Sequence, residues 1–370
     1  MIVNSIYLDG FRNYSDISIG FEQGVNVIIG ANAQGKTNMV EAIYYLTTGR
    51  SFRTSSDKDL ISFNKDAAYI KAEVISAERE QILEARLFKE RRREVFANNV
   101  KLKKMSELTG RLTSVMFGPD DLNIVKDGAV VRRKLMDQCI SQLRPGYHAA
   151  LTEFNKLYDN KTRILRDYRE KPYLLDLLDD FNIRLARQSA KLIYYRSAFS
   201  IGISRRASDI HNEFSGGTEM LTVKYKTVGN INPAGKKPEQ LLPELLEHQR
   251  ELKQTELRSG HCLSGAHKDD LEIEINNSPA RKFASQGQAR TAAISFKLAE
   301  REIHHDDSGE YPILLLDDVL SELDPIRQSF VLSKIKNGQV FITCCDENAI
   351  TTSCDGRVLR VSSGKIVELH

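Results

Sequence analysis

The chain has 370 residues, of which 41% are hydrophobic and 28% charged, with a formal net charge of +3, as expected for an ordinary globular protein with a sizeable core. No apolar run reaches membrane-spanning length, and the start MIVNSIYLDG lacks the basic segment and apolar core of a secretion signal. Five cysteines (139, 262, 344, 345 and 354) without a CxxC pair argue against a disulfide framework or zinc site and for a reducing compartment.

Residues 1–110 alternate apolar and polar positions between turn signals, as in IVNSIYL, YIKAEV and QILEARLF, which predicts strands with one early helix. This region ends on a basic stretch, 86–104, with eight Lys or Arg against two acids. Such a stretch is a candidate footprint for phosphate backbone, carried by Arg91, Arg92, Arg93, Lys101, Lys103 and Lys104. A solvated hairpin turning at FANNV is the competing reading. Residues 111–258 show helical periodicity over most of their length, interrupted by the loop TVGNINPAGKKPEQ. The pairs Arg132-Arg133 and Arg205-Arg206 fall on these helix patterns, where exposed charge is expected.

Residues 259–370 return to strand and helix alternation, with very apolar strands at 313–316 and 340–343 that suit a buried, mainly parallel sheet. Cys344 and Cys345 end the second of these runs and read as small core residues. His304-His305 precede acidic residues and read as solvated. The prediction is an α/β domain made of 1–110 and 259–370, split by a helical insertion lobe over 111–258.

The strongest motif is Gly30-Ala31-Asn32-Ala33-Gln34-Gly35-Lys36-Thr37. It satisfies the phosphate-loop pattern G-x-x-x-x-G-K-[ST]. The strand-like VNVII precedes it, and the helix-like TNMVEAIYYLTT, with Asn38 in its first turn, follows. The glycines let backbone N–H groups wrap the β-phosphate, Lys36 reaches the β and γ oxygens, and the Thr37 hydroxyl ligates Mg2+. The partner motif is YPILLLDDVLSELD. Its apolar strand delivers Asp317 and Asp318 to its carboxyl end, where ligands sit in open α/β sheets. Asp317 suits Mg2+ coordination through water, and Asp318 suits orienting or deprotonating the attacking water.

A third element is ASQGQ, residues 284–288, directly before a helix pattern and roughly thirty residues ahead of the paired acids. A Gly-containing turn at a helix start presents free N–H groups to an anion. P-loop, SQGQ turn and paired acids in this order resemble the ABC-type ATPases. The resemblance implies that Ser285, Gln286, Gly287 and Gln288 form the signature loop, and that Asp324 ends the D-loop. It also implies that the signature loop binds the γ-phosphate held by a second copy of the chain, with the Ser285 hydroxyl and Gly287 N–H as donors. A helix N-cap role for Ser285 is compatible with that.

The resemblance narrows with LDGFRNYSD, SFRT, MFGPDDLNIVKDG followed by VRRKLMD, and LSGAHKDDL. Together with the motifs above they fall in order across nearly the whole chain, which resembles the RecF family of bacterial recombination mediators. Lys268 stands where the family usually has Arg, keeping the charge and losing a bidentate contact. The resemblance implies a P-loop ABC-type ATPase head with a compact second lobe, using ATP and Mg2+. It implies an ATP-dependent homodimer on duplex and gapped DNA, a slow DNA-stimulated ATPase, and partnership with RecR and through it RecO and RecA. A role in repair and the SOS response, in the cytoplasm at the nucleoid, follows from it too.

Arg53, in SFRT, falls where related SMC heads carry a basic loop near nucleotide and DNA, and Arg12, in the FRNY turn, is placed to approach the nucleotide base. His267 reads equally as a phosphate contact or as a hydrogen-bonded turn residue. Asp318 replaces the Glu common at this position. A base one methylene shorter suits a timed switch better than a pump. Two rivals remain. A transporter's nucleotide-binding subunit would show a Q-loop, and none is evident. A nuclease of the OLD type would need an added metal-binding domain for which the chain leaves no room.

Overall fold

The computed structural model describes residues 1–345 and 356–369. The chain folds into two units, Met1–Asn123 with Arg290–His370, and Ile124–Ala289. Both boundaries fall later than the expected 110 and 258, for reasons visible in the strands below.

The first unit begins with β1 (Ile2–Asp9), β2 (Ile17–Gly20), β3 (Val25–Ile29) and α1 (Lys36–Thr48). It continues through β4 (Ala67–Ser76), β5 (Arg79–Phe88), β6 (Glu94–Ala97), β7 (Val100–Lys101) and β8 (Ser114–Phe117). The second unit holds α2 (Ala129–Leu143), α3 (Pro145–Asp167), α4 (Leu178–Phe214), β9 (Leu221–Lys226), α5 (Pro238–Ser259), β10 (Asp270–Ile275), β11 (Ser278–Pro279) and α6 (Ala280–Phe283). The division into units falls within α7 (Gln286–Ser308). The first unit then closes with β12 (Ile313–Asp317), α8 (Pro325–Lys334), β13 (Val340–Cys344), β14 (Gly356–Ser362) and β15 (Lys365–Leu369).

Two six-stranded sheets build the first unit. One is antiparallel, in the order β2-β1-β4-β5-β6-β7. The other runs β15-β14-β3-β13-β12-β8 and is parallel except for the terminal hairpin β14–β15. The segment Ser114–Phe117, expected within the helical lobe, pairs in parallel with β12 and so extends this sheet. Four residues of SVMF are too few for helical periodicity to exclude a strand.

Helix α1 shares one core with both sheets, beside Ile6 and Val74 of the first and Ile28, Leu315 and Phe341 of the second. Ten of its thirteen residues are buried, which is why its sequence shows apolar residues almost all round. The wholly buried Gln339 ties β1 into the same core. Its amide oxygen accepts from Val3 N at 2.7 Å, and its nitrogen donates to the Val3 and Glu22 carbonyls.

The second unit is mainly helical, as expected, and also carries the antiparallel sheet β11-β10-β9. Its polar centre is the SGAHKDD segment. Asp269 is fully buried and accepts from Arg196, Tyr225 and Thr227. Arg196 also donates to the Tyr147 hydroxyl, Asp137 and the Ala266 carbonyl, so all three guanidinium nitrogens are engaged. Arg132, expected to be exposed, is buried and forks onto both oxygens of Asp270. Breaking the fully buried Arg196–Asp269 pair by removing one partner costs roughly 3–5 kcal/mol, so this segment has a folding role through Asp269. Lys268 points to solvent. His267 bonds to the Cys262 carbonyl at 3.0 Å and lies against Tyr158, which is the turn-histidine arrangement.

His304 corrects the sequence expectation. Helix α7 runs on to Ser308, and this turn is packed inward, leaving His304 fully buried. Desolvation pushes its pKa down to about 3. The unfolded chain binds that proton near pH 6.5 and the folded chain does not, so this residue lowers stability as pH falls below about 6.5. His304→Leu should therefore flatten the fall in urea-unfolding free energy between pH 7.5 and 5.5 by up to roughly 1.4 kcal/mol per pH unit. An unaltered slope would show that His304 takes up its proton in the folded state.

Candidate ATP site

Strand β3 and helix α1 bracket the loop Gly30–Gly35, as the motif predicts. A Cβ on Gly30 would lie 2.4 Å from the Val361 carbonyl oxygen, so the backbone passes there only without a side chain. The Gln34 amide oxygen accepts from Ser363 N at 2.6 Å, and the Gly364 N–H donates to the Gln34 carbonyl, pinning the loop to the β14–β15 turn. Lys36 is 4% exposed. Its ammonium lies across the loop, donating to the carbonyls of Gly30 at 2.8 Å and Ala31 at 3.2 Å. Polyphosphate oxygens are stronger acceptors for it than neutral carbonyls.

Thr37 Oγ1 donates to Asp317 Oδ1 at 3.0 Å, and Thr343 Oγ1 donates to the same oxygen at 2.8 Å. Asp317 stands at the carboxyl end of β12, beside Thr343 of β13. Burial raises its pKa, with the Asp318 charge adding to the rise and the two hydroxyls and Arg53 opposing it. A hydroxyl and a carboxylate oxygen at this separation are hard ligands of the kind Mg2+ takes. Asp318 is half-buried, with a left-handed backbone (φ 52°) fixed by its N–H donating to Thr343 Oγ1 at 2.9 Å. Asp tolerates that region better than most residues.

Cys345, expected in the core, is exposed at this site. Cys344 ends β13 buried, and the next residue turns out to the mouth of the loop. Its thiol lies 3.3 Å from Lys36 Nζ and 2.9 Å from Asn32 Oδ1. A maleimide should therefore label Cys345 ahead of the buried Cys139, Cys262 and Cys344, and ATP should protect it. Mass spectrometry on a Cys354→Ser background reads this cleanly, since Cys354 lies outside the described residues. Equal labelling with and without ATP would mean the nucleotide does not cover this thiol.

The expected basic residues divide. Arg12 is held against α1, next to Asn13, which donates to the Gln34 carbonyl of the loop. Arg12 forks onto the fully buried Glu41 of α1 with both bonds at 2.9 Å and donates to the Asp59 carbonyl. Arg53 is held loosely, 3.8 Å from Glu41 and 2.9 Å from Asn38 Oδ1, with its side chain 48% exposed. Asn38 donates in turn to Asn13, and Asn13 to the Gln34 carbonyl, which connects Arg53 to the P-loop. Sequence reading missed Glu41. An acid on an otherwise apolar helix face was its signal.

In the basic stretch, Arg93 is half-buried and its guanidinium is tied up as a strut. It binds Asp57, the Tyr45 hydroxyl and the Gly49 carbonyl. Arg91 lies over Phe88 and pairs with Glu94, as does Lys101. Arg92, Lys103 and Lys104 are exposed. The turn at Asn98 and Asn99 has both residues left-handed, the hairpin geometry expected from FANNV.

Ser285 and Gln288 form a reciprocal cap at the start of α7. Gln288 N donates to Ser285 Oγ at 3.1 Å, and Ser285 N donates to Gln288 Oε1 at 2.9 Å. Ser285 and Gln286 are exposed and Gly287 is half-buried. Asp324 caps α8 by accepting from Arg327 N and pairs with the Arg327 guanidinium, which lowers its pKa.

Comparison with known proteins bears on the whole chain. The family model described as RecF/RecN/SMC N terminal domain matches residues 2–366. The DNA replication and repair protein RecF of Clostridium perfringens (strain SM101) is 37% identical over 372 residues, covering 99% of each chain. That of Clostridium acetobutylicum is 37% identical over 371 residues, covering 100% of each. A solved structure of the recombination mediator protein RecF-ATPrS in the RecFOR pathway superposes with a TM-score of 0.93, at 32% identity, over 100% of this chain and 98% of that one. The Smc head domain of Pyrococcus furiosus, at 19% identity and a TM-score of 0.56, shares the fold. The chain therefore belongs to the RecF family of DNA replication and repair proteins, built on the ABC-type ATPase head found in SMC proteins.

Proposed function

We propose that this chain is an ATP-driven switch of recombinational repair. It binds ATP with Mg2+ at its P-loop and pairs head to tail with a second copy. The dimer engages duplex DNA beside single-strand gaps in the cytoplasm. There it works with RecR, and through it with RecO and RecA. Among the described residues no helix is long and apolar enough to cross a membrane. The observation that carries the reading is the meeting of Thr37, Asp317 and Thr343 beside Lys36 and Asp318. Support for the partners comes from relatives whose structures belong to the RecFOR pathway.

The loop N–H groups and Lys36 hold the β and γ phosphates, and Asp318 orients water and accepts its proton. Thr37 and Asp317 would hold Mg2+, which when bound neutralises charge on the phosphate oxygens. Hydrolysis is slow and stimulated by DNA, timing release. Sedimentation of the chain with gapped duplex, with and without ATP, tests the whole reading: an ATP-dependent dimer on intact DNA supports it. Cleaved DNA would indicate a nuclease, and no DNA binding at all would favour a transporter-type subunit.

For the DNA surface, the exposed Arg92, Lys103 and Lys104 are the free cations of the basic stretch, since Arg93 is spent on Asp57. Changing all three to Glu should weaken binding alike on all sequences. It should also lower the log–log salt slope by roughly 0.9 for each phosphate no longer neutralised. Unaltered affinity and slope in a fluorescence-anisotropy titration would leave this hairpin a solvated one.

A further inference from the structure

The signature loop makes one connection that its motif does not require. Gln288 uses both ends of its amide. Oε1 accepts from Ser285 N, and Nε2 donates to Glu219 Oε1 at 2.8 Å. The other oxygen of Glu219 lies 3.0 Å from Nε2 of His211, a fully buried residue of α4. A carboxylate only accepts, so the His211 proton sits on Nε2, while its buried Nδ1 has no partner. Glu219 is delivered by a tight turn that ends α4. Gly216 and Gly217 are left-handed there, Gly217 N donates to the Asn212 carbonyl, and Glu219 N donates to Ser215 Oγ.

We infer that Glu219 is the positioning residue of the signature loop, an inference that rests on reading this loop as the γ-phosphate contact in trans. An amide side chain can turn over, exchanging its donor and acceptor ends. With Glu219 in place it cannot. The flipped amide would set oxygen against carboxylate and N–H against the Ser285 N–H, two repulsive contacts for two good ones. Glu219 thereby fixes Gln288 Oε1 on the Ser285 N–H, and the reciprocal cap holds the Ser285 hydroxyl and Gly287 backbone in one geometry. His211 holds the second oxygen of Glu219 and so sets the carboxylate plane. The long helix α4 of the second unit is by this route bonded to the loop that meets the nucleotide.

The bond can be broken and rebuilt in reverse. Gln288→Glu sets two carboxylates against each other. Glu219→Gln leaves an amide that cannot satisfy His211 and Gln288 together in their present tautomer and orientation. Each single change should lower the ATPase kcat roughly ten-fold, the worth of one hydrogen bond to a charged group. The affinity of the monomer for a fluorescent ATP analogue should not change. The double variant Glu219→Gln with Gln288→Glu restores every one of these bonds, because the introduced amide donates to the introduced carboxylate and accepts from His211. Its kcat should return to within about two-fold of the starting protein. A merely structural role would not predict that recovery. If Ser285→Arg loses ATPase while both single variants keep it, or if the double variant is worse than either, the positioning role is overturned. If Ser285→Arg itself keeps full ATPase and dimerisation, the trans reading fails and takes this inference with it.

Discussion

Asp318→Asn is expected to bind ATP, form the dimer and stay there, with hydrolysis slowed roughly 100-fold or more, the scale of losing a general base. The substitution leaves the rest of the site in place. Asn accepts the left-handed backbone as readily as Asp, and the N–H that bonds Thr343 is unchanged. Lys36→Ala should fail at the opposite end, losing nucleotide affinity, because it removes the ammonium that lies across the Gly30 and Ala31 carbonyls. Lys36→Arg keeps the charge on a wider, planar group in a position only 4% exposed, so it should bind ATP and turn over poorly. Single-turnover assays with sedimentation separate these outcomes. A wild-type rate for Asp318→Asn would show that another group activates the water.

The second large effect concerns Ser285→Arg. Its side chain is exposed at the start of α7, so the larger residue does not disturb a core. The P-loop is untouched, and the monomer should bind ATP with its original affinity. Dimerisation and hydrolysis should both be lost if, as proposed, this loop receives the γ-phosphate held by a second copy, because a bulky side chain would then fill that place. Mixing Ser285→Arg with Lys36→Ala protomers leaves one composite site with both halves intact, and a fraction of the ATPase should return. A loss of ATP affinity in Ser285→Arg alone would place the loop on its own nucleotide. No recovery on mixing would mean that both sites must fire or that the loop acts elsewhere.

What was legible in the sequence is what local chemistry dictates. A phosphate loop must have its glycines, Lys36 and Thr37 at fixed spacing, and an apolar strand must end where Asp317 stands. Both were readable without knowing any distant neighbour. The errors came where partners are remote in sequence. Arg93 was counted as one charge among eight, but its acid, Asp57, lies 36 residues back. Arg12 carries an ion pair with Glu41 on α1, 29 residues on, that nothing local in the sequence announces. Cys345 followed an apolar run by one residue, which is enough to move a thiol from the core to the nucleotide site. Glu219 carries no motif at all, and its role depends on a turn after α4 meeting a loop 69 residues later.

The place of β3 in its sheet has a consequence for how the protein is made. Its neighbours there are β13 and β14, and Val340 follows Val25 by 315 residues. At about 5–20 residues per second, a ribosome needs roughly 15 to 60 seconds to supply that neighbour. Through that interval the VNVII segment has an apolar surface and an unpaired backbone on both edges, the kind of exposure that invites chaperones or misassembly. ATP cannot shorten the wait, because the loop that would grip it has no floor. A nascent chain halted at residue 330 would contain every residue of the phosphate loop, both acids and the signature turn, and none of the strand pairing that holds the loop in shape.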